Sequence, residues 1–108
     1  MTSPSPFLEQ VNAVVVDNIN NECFCQKDLS SALCLSSSQV YRKIKQQAGV
    51  TPSVYIRNKR LEKAFVLLTS TELLIYEITF LVGFGSLSYF SRCFSEYYGY
   101  PPSSLRYP

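Results

Sequence analysis

The sequence predicts an all-α fold of about seven helices. Three observations carry that expectation. The 108 residues include only four glycines and hold no apolar–polar alternation for more than a few residues, so strands have no signal. Apolar residues recur instead at the helical spacing. The chain also nearly repeats itself at an offset of 49 to 50 residues, as the matched segments below show. Hydrophobic residues at 46% and charged residues at 17% are globular composition, which argues against disorder. The length fits one domain, or two very small ones sharing a core.

In chain order, Phe7-Leu8, Val11, Val14-Val15 and Ile19 trace a first helical stripe, which Asn20-Asn21 ends. Asp28 is placed to cap a short helix carrying Leu29, Ala32 and Leu33, with Cys34-Leu35 as a tight turn. Ser36 with Gln39 three residues on has capping-box spacing. A helix with Val40 and Ile44 on its apolar face therefore starts there, and Gly49 closes it. Thr51-Pro52 restarts the chain as N-cap and first helical residue. That longer helix runs to about Thr69, and Val54, Ile56, Leu61, Ala64, Phe65 and Leu68 form its buried stripe. Ile75, Ile78, Leu81 and Val82 mark another short helix ending at Gly83. Ser86 opens the next, with Phe90, Phe94 and Tyr97 on one side and Gly99 as its stop. Pro101-Pro102-Ser103-Ser104-Leu105 makes a last helical turn. The expected organisation is a linker or artificial start over 1–6, a first subdomain over 7–50, a linker helix over 51–70 and a second subdomain over 71–108.

The repeat has a definite form. Leu29-Ser-Ser-Ala-Leu33-Cys-Leu35 matches Ile78-Thr-Phe-Leu-Val82-Gly-Phe84. A serine-rich stretch follows each, then Val40-Tyr-Arg42-Lys-Ile44 and Phe90-Ser-Arg92-Cys-Phe94. Each unit is a short helix, a tight turn and a longer helix with a serine-rich start. That is helix-turn-helix spacing, in which the first helix buttresses the second and leaves its N-terminal half exposed to enter a major groove. Two stacked helix hairpins in a small bundle give the same apolar pattern, so the pattern alone leaves both readings open.

Charge favours the first reading without closing the second, since a basic run is also what a solvated helix face looks like. The net charge of +2 is small for a nucleic-acid binder, but it is unevenly spread. Residues 1–35 set Lys27 against Glu9, Asp17, Glu22 and Asp28, net −3. Residues 36–69 set Arg42, Lys43, Lys45, Arg57, Lys59, Arg60 and Lys63 against Glu62, net +6. Residues 70–108 set Arg92 and Arg106 against Glu72, Glu77 and Glu96, net −1. The basic middle coincides with the second helix of the first unit and with the linker helix, which is the footprint phosphate binding needs.

Other functions have less support. The absence of His removes Ser–His and Cys–His catalysis and His-ligated metals. No paired-carboxylate constellation and no glycine-rich phosphate loop stands out, so no enzyme and no cofactor are expected. Cys23, Cys25, Cys34 and Cys93 lack the C-x2-C pairing of structural zinc sites. A thiolate site or a disulfide stays conceivable, and reduced cysteines filling small apolar slots are the favoured reading. The apolar stretches are too short to cross a bilayer, and Met1-Thr-Ser-Pro-Ser-Pro has no signal-peptide pattern, so the cytoplasm is the expected location.

Ser36-Ser-Ser-Gln-Val-Tyr-Arg-Lys-Ile-Lys45 followed by Gly49-Val-Thr-Pro-Ser-Val-Tyr-Ile-Arg57 resembles the first half of the AraC/XylS-type DNA-binding domain. Arg60-Leu-Glu-Lys-Ala64 with Leu67-Leu68 resembles its linker helix. Glu77-Ile78, Val82-Gly-Phe84, Ser88-Tyr-Phe-Ser-Arg92, Phe94 and Gly99-Tyr-Pro-Pro-Ser103 resemble its second half. The Tyr41-Arg42-Lys43 segment looks particularly like the C-terminal output domains of hybrid two-component sensors.

The resemblance implies two helix-turn-helix subdomains on one linker helix, homeodomain-like in form. Their recognition helices would enter successive major-groove segments of double-stranded DNA, about 34 Å apart. The family's base-contacting positions fall on Ser37, Ser38, Tyr41 and Arg42, and on Leu87, Ser88, Tyr89 and Arg92. Lys43 and Lys45 are candidates for backbone contact only. Ser86, like Ser36, is expected mainly to cap its helix and so to present an N-terminus to phosphate. Arg42 and Arg92 each suit a bidentate guanine contact or a phosphate grip. Arg57, Lys59 and Arg60 are phosphate contacts or plain surface. The alternative is a helical protein-interaction module that binds no DNA.

The sequence departs from the family at three places. Cys34 stands where the family has a turn glycine, Leu74 stands where a serine caps the fifth helix, and Leu87 offers no polar readout. With Arg92 as the one cation on its recognition helix, the second unit is expected to be the weaker reader. A sensor or dimerisation region is expected elsewhere in a longer protein, with this segment monomeric alone.

Overall fold

The computed structural model describes residues 5–106. The expected linker over 1–6 lies mostly outside them. Helices follow one another as α1 (Pro6–Asp17), α2 (Gln26–Leu33), α3 (Ser37–Ala48), α4 (Pro52–Ser70), α5 (Ile75–Leu81) and α6 (Leu87–Tyr98), with a 3-10 turn at Pro102–Leu105. The described residues contain no strand. The all-α expectation and the count of about seven helical segments hold.

Local chemistry sets the boundaries. The Ser5 hydroxyl accepts from the Leu8 N–H at 3.2 Å, and Pro6 fills the first helical position of α1. α1 then stops at Asp17, earlier than Asn20-Asn21 suggested. Asn18 caps it and donates its side-chain amide to the Val14 carbonyl at 2.9 Å, competing with the backbone for that acceptor. Ile19 is therefore outside the helix. Asp28 does not precede α2 as expected. Cys25 is the N-cap, and Asp28 sits three residues inside, accepting the Cys25 N–H at 3.0 Å. α3 begins as expected: the Ser36 hydroxyl accepts from Gln39 N–H at 3.1 Å, and the Gln39 amide oxygen accepts from Ser36 N–H at 3.0 Å.

The repeat is a repeat of hydrogen bonds. At the end of α2, Leu35 N–H donates to Ser30 C=O at 3.1 Å and Cys34 N–H to Ser31 C=O at 3.2 Å. Forty-nine residues on, Phe84 N–H donates to Thr79 C=O at 3.0 Å and Gly83 N–H to Phe80 C=O at 3.1 Å. Both are Schellman closures. Ser30 and Thr79 are both buried and both donate their hydroxyls one turn back, to Gln26 and Ile75 carbonyls, each at 2.9 Å. Closure requires a left-handed residue: Gly83 has φ +88, and Cys34 adopts φ 57 despite its side chain. Gly85 is the added residue that moves the offset from 49 to 50. α3 and α6 then run for 12 residues each, fifty positions apart.

The chain divides into two compact units. One runs to Asn18 and resumes over Phe24–Lys59; the other comprises Ile19–Cys23 and the chain from Arg60 onward. The first buries Val11, Val15, Phe24, Leu29, Val40, Ile44, Tyr55 and Ile56. Phe24 belongs to no helix, so periodicity gave no reason to include it. The second has a more aromatic core, in which Leu61, Ala64, Leu68, Ile78 and Val82 meet Phe84, Phe90 and Phe94. Phe90 stands 5.2 Å from Phe84 and 5.7 Å from Phe94, in the tilted arrangement such rings prefer. Tyr97 was expected on this face but is 42% exposed. Tyr98 takes the inner place, 4.6 Å from Phe94 and 5.2 Å from Phe65. Leu81 and Val54 likewise lie further out than their stripes implied, Leu81 exposed and Val54 half-buried.

Candidate nucleic-acid interface

In the first unit, Val40 and Ile44 are fully buried and fix which side of α3 faces outward. Ser38, Tyr41, Arg42 and Lys45 follow the i, i+3, i+4, i+7 pattern, which puts them on one face. All four are exposed. Ser37 is exposed as well, but its hydroxyl lies 3.5 Å from that of buried Ser30, and its carbonyl accepts from the Gln26 amide at 2.9 Å. Ser37 thus braces α3 against α2. Lys43 leaves the exposed stripe: it is half-buried, with its ammonium 5.1 Å from the centre of the Phe7 ring.

In the second unit, Phe90, Cys93 and Phe94 turn inward. Leu87, Ser88, Tyr89 and Arg92 remain exposed. Ser86 is the N-cap of α6, its hydroxyl accepting from Tyr89 N–H at 3.2 Å. The equivalents of Tyr41 and Lys45 are Ser91 and Ser95, so the face of α6 has one cation where α3 has two.

The basic linker helix is less uniform than its sequence. Lys63 is exposed. Lys59 holds its ammonium 5.2 Å from the Tyr55 ring centre. Arg57 is half-buried, and its Nε has no hydrogen-bond partner among the described residues. Arg60 is neither a phosphate contact nor plain surface. It is 6% exposed and donates to the Val82 carbonyl at 3.1 Å, the Asn21 carbonyl at 2.8 Å and the Ile19 carbonyl. Burial pushes the Arg60 pKa below its usual value, and the Glu22 charge pushes it back up. The signal was its register: Ile56, Arg60, Ala64 and Leu68 fall one turn apart on the buried stripe.

The thiols also divide. Cys93 fills the core as expected, whereas Cys23, Cys25 and Cys34 are exposed free thiols rather than apolar fillers. Among the described residues no group of three Cys, Asp or Glu is placed to hold a metal, and no helix is long and apolar enough to cross a membrane.

The helix-turn-helix domain family profile matches residues 29–107. The chain is 34% identical over 104 residues to a probable transcriptional regulator, LumQ, of Photobacterium leiognathi, covering 93% of this chain and 42% of LumQ. It is 35% identical over 99 residues to histidine kinase P4 of Formosa agariphila, covering 92% of this chain and 7% of the kinase. The chain therefore spans less than half the length of either relative. Among solved structures, it is similar to an AraC-type DNA-binding domain-containing transcriptional regulator from Chromobacterium violaceum. The TM-score is 0.86 at 30% identity, covering 94% of this chain and 89% of that one.

Proposed function

Because this chain belongs to the AraC/XylS-type helix-turn-helix DNA-binding domains, we propose that it reads double-stranded DNA with α3 and α6, one major-groove segment each. One observation carries this reading. Two 12-residue helices fifty positions apart, each opened by a capping serine, expose an arginine at the same repeat position, Arg42 and Arg92. A capped N-terminus suits phosphate, and an exposed guanidinium suits guanine O6 and N7 or a phosphate.

The roles follow from chemistry. Arg42 and Arg92 are base or phosphate contacts, and Lys45 is a phosphate contact. Ser38 and Ser88 are short hydroxyls that permit close approach. Tyr41 reaches a phosphate or packs on a thymine methyl, and Leu87 packs on a methyl or sugar. Ser37 and Ser86 act chiefly by setting their helices. The buried Arg60 contributes no phosphate contact, so the electrostatic footprint rests on Arg42, Lys45, Lys63, Arg57 and Lys59. Membership of this family gives the protein-interaction alternative no support.

The domain acts as a non-enzymatic transcription regulator in the cytoplasm and is monomeric by itself. The likeness to a histidine kinase supports an output role in a two-component protein, with dimerisation and sensing in other regions. The test is duplex binding as a function of salt. A pool of random duplexes should bind at low salt, and affinity should fall steeply between roughly 50 and 200 mM salt as counterions are released. No binding at low salt, or affinity indifferent to salt, defeats the reading.

A further inference from the structure

Arg92, the one cation on the exposed face of α6, does not stand alone. Its guanidinium carbon lies 5.3 Å from the centre of the Tyr89 ring. Residues three apart on a helix are neighbours on its surface. The Tyr89 ring is itself 5.7 Å from the ring of Phe84, which is 4% exposed. Phe84, Tyr89 and Arg92 thus form a line of contacts that runs from the core to the surface, the two rings tilted by 57°.

The repeat supplies the contrast. Fifty positions earlier, the counterpart of Tyr89 is Gln39, whose side chain returns to the Ser36 N–H and completes the cap of α3. A tyrosine ring has no acceptor within reach for that role, and the cap of α6 keeps only the Ser86 half. The same helical position closes a cap in one unit and carries an aromatic platform in the other. An exposed arginine loses much rotamer freedom when it is fixed by a ligand, and a ring beneath it removes part of that loss in advance.

We infer that Tyr89 is a positioning residue: its ring, braced on Phe84, holds the Arg92 guanidinium in the orientation in which it meets DNA. The ring, rather than the phenol hydroxyl, does this. The inference rests on the DNA-binding reading above and deepens it at α6.

The test starts from duplexes that the 108-residue chain enriches from a random pool, with affinities measured on the best of them. Tyr89→Phe keeps the ring and should bind within about two-fold of the parent. Tyr89→Leu should bind about two- to five-fold more weakly, the span of an exposed cation–π contact. Tyr89→Leu combined with Arg92→Ala should bind no more weakly than Arg92→Ala alone. Combined with Arg42→Ala, the Tyr89→Leu loss should multiply, because the two residues belong to different recognition helices, α3 and α6. The inference is overturned if Tyr89→Phe is as weak as Tyr89→Leu, which assigns the effect to the hydroxyl. It is equally overturned if the Tyr89→Leu and Arg92→Ala losses multiply. If the parent enriches no duplex, the DNA-binding reading fails first and takes this inference with it.

Discussion

The Arg60 guanidinium donates to the Val82 carbonyl at 3.1 Å, so a side chain from α4 satisfies the backbone at the end of α5. The same guanidinium reaches Ile19 and Asn21. Arg60 is in effect a buried staple for the second unit. Arg60→Leu leaves these carbonyls without their donor and should cost about 3 kcal/mol, measured by chemical denaturation. Gly83→Ala should also destabilise: it imposes a side chain at φ +88, where a Cβ would run into the Arg60 guanidinium and the Ile19 carbonyl. Unchanged denaturation midpoints in both variants would mean that the staple carries no stability.

Cys34 adopts the left-handed conformation that glycine occupies in the second unit. Its side chain is exposed, so replacing it forfeits no packing. Cys34→Gly should stabilise by about 1 kcal/mol, the left-handed penalty less the extra chain entropy of glycine. Thermal melting should show a rise of several degrees. A fall would mean that the turn is tuned to its cysteine.

Half of a capping box survives at α5. The Glu77 carboxylate accepts the Leu74 N–H at 3.2 Å, but Leu74 has no oxygen to return the bond. Leu74 is 64% exposed, so little apolar burial is at stake. Leu74→Ser should complete the box and add about 1 kcal/mol in a denaturation experiment.

The Tyr97 hydroxyl donates to the Glu62 carboxylate at 2.7 Å. Desolvation first, and that carboxylate second, push its pKa from 10.0 to about 12. Because the folded value is raised, the contribution to stability is fully present below pH 10 and is lost as pH climbs through 12. Burial also raises the pKa of the neighbouring Tyr98, so absorbance titration should find more than one late phenol, with one fewer in Tyr97→Phe. The stability of that variant should also fall less over the same alkaline range.

What could be read in the sequence was what is local. Ser36, Ser86, Gly49 and Gly99 bound α3 and α6 because caps depend on neighbours three or four residues away. The Schellman pair was legible as a repeat because two closures of the same kind need the same apolar spacing. Cys25 was missed as an N-cap because cysteine is not a usual capping residue and Asp28 looked better. Tyr97 and Tyr98 are adjacent, so periodicity separates them poorly, and only packing against Phe65 and Phe94 decides between them. At the candidate interface, the apolar stripes marked only the inward sides of α3 and α6, and the residues proposed to meet DNA came from the family resemblance. The withdrawal of Lys43 to Phe7 and the aromatic contacts beneath Arg92 depend on residues that meet only in the folded chain. By charge alone Arg60 resembles the surface cations around it. Its place on the Ile56–Ala64–Leu68 line shows that register was the better guide.

The proposed reading of DNA by α3 turns on Arg42, as a base contact or a phosphate grip. The most direct measurement compares the parent chain and Arg42→Ala on an enriched duplex and on the same duplex with each base pair substituted in turn. If Arg42 reads a base, Arg42→Ala should lose about 1–3 kcal/mol, together with relaxed preference at one base pair. A uniform loss across all sequences would make Arg42 a phosphate grip. Equal affinities for parent and variant on every duplex would mean that Arg42 does not meet DNA.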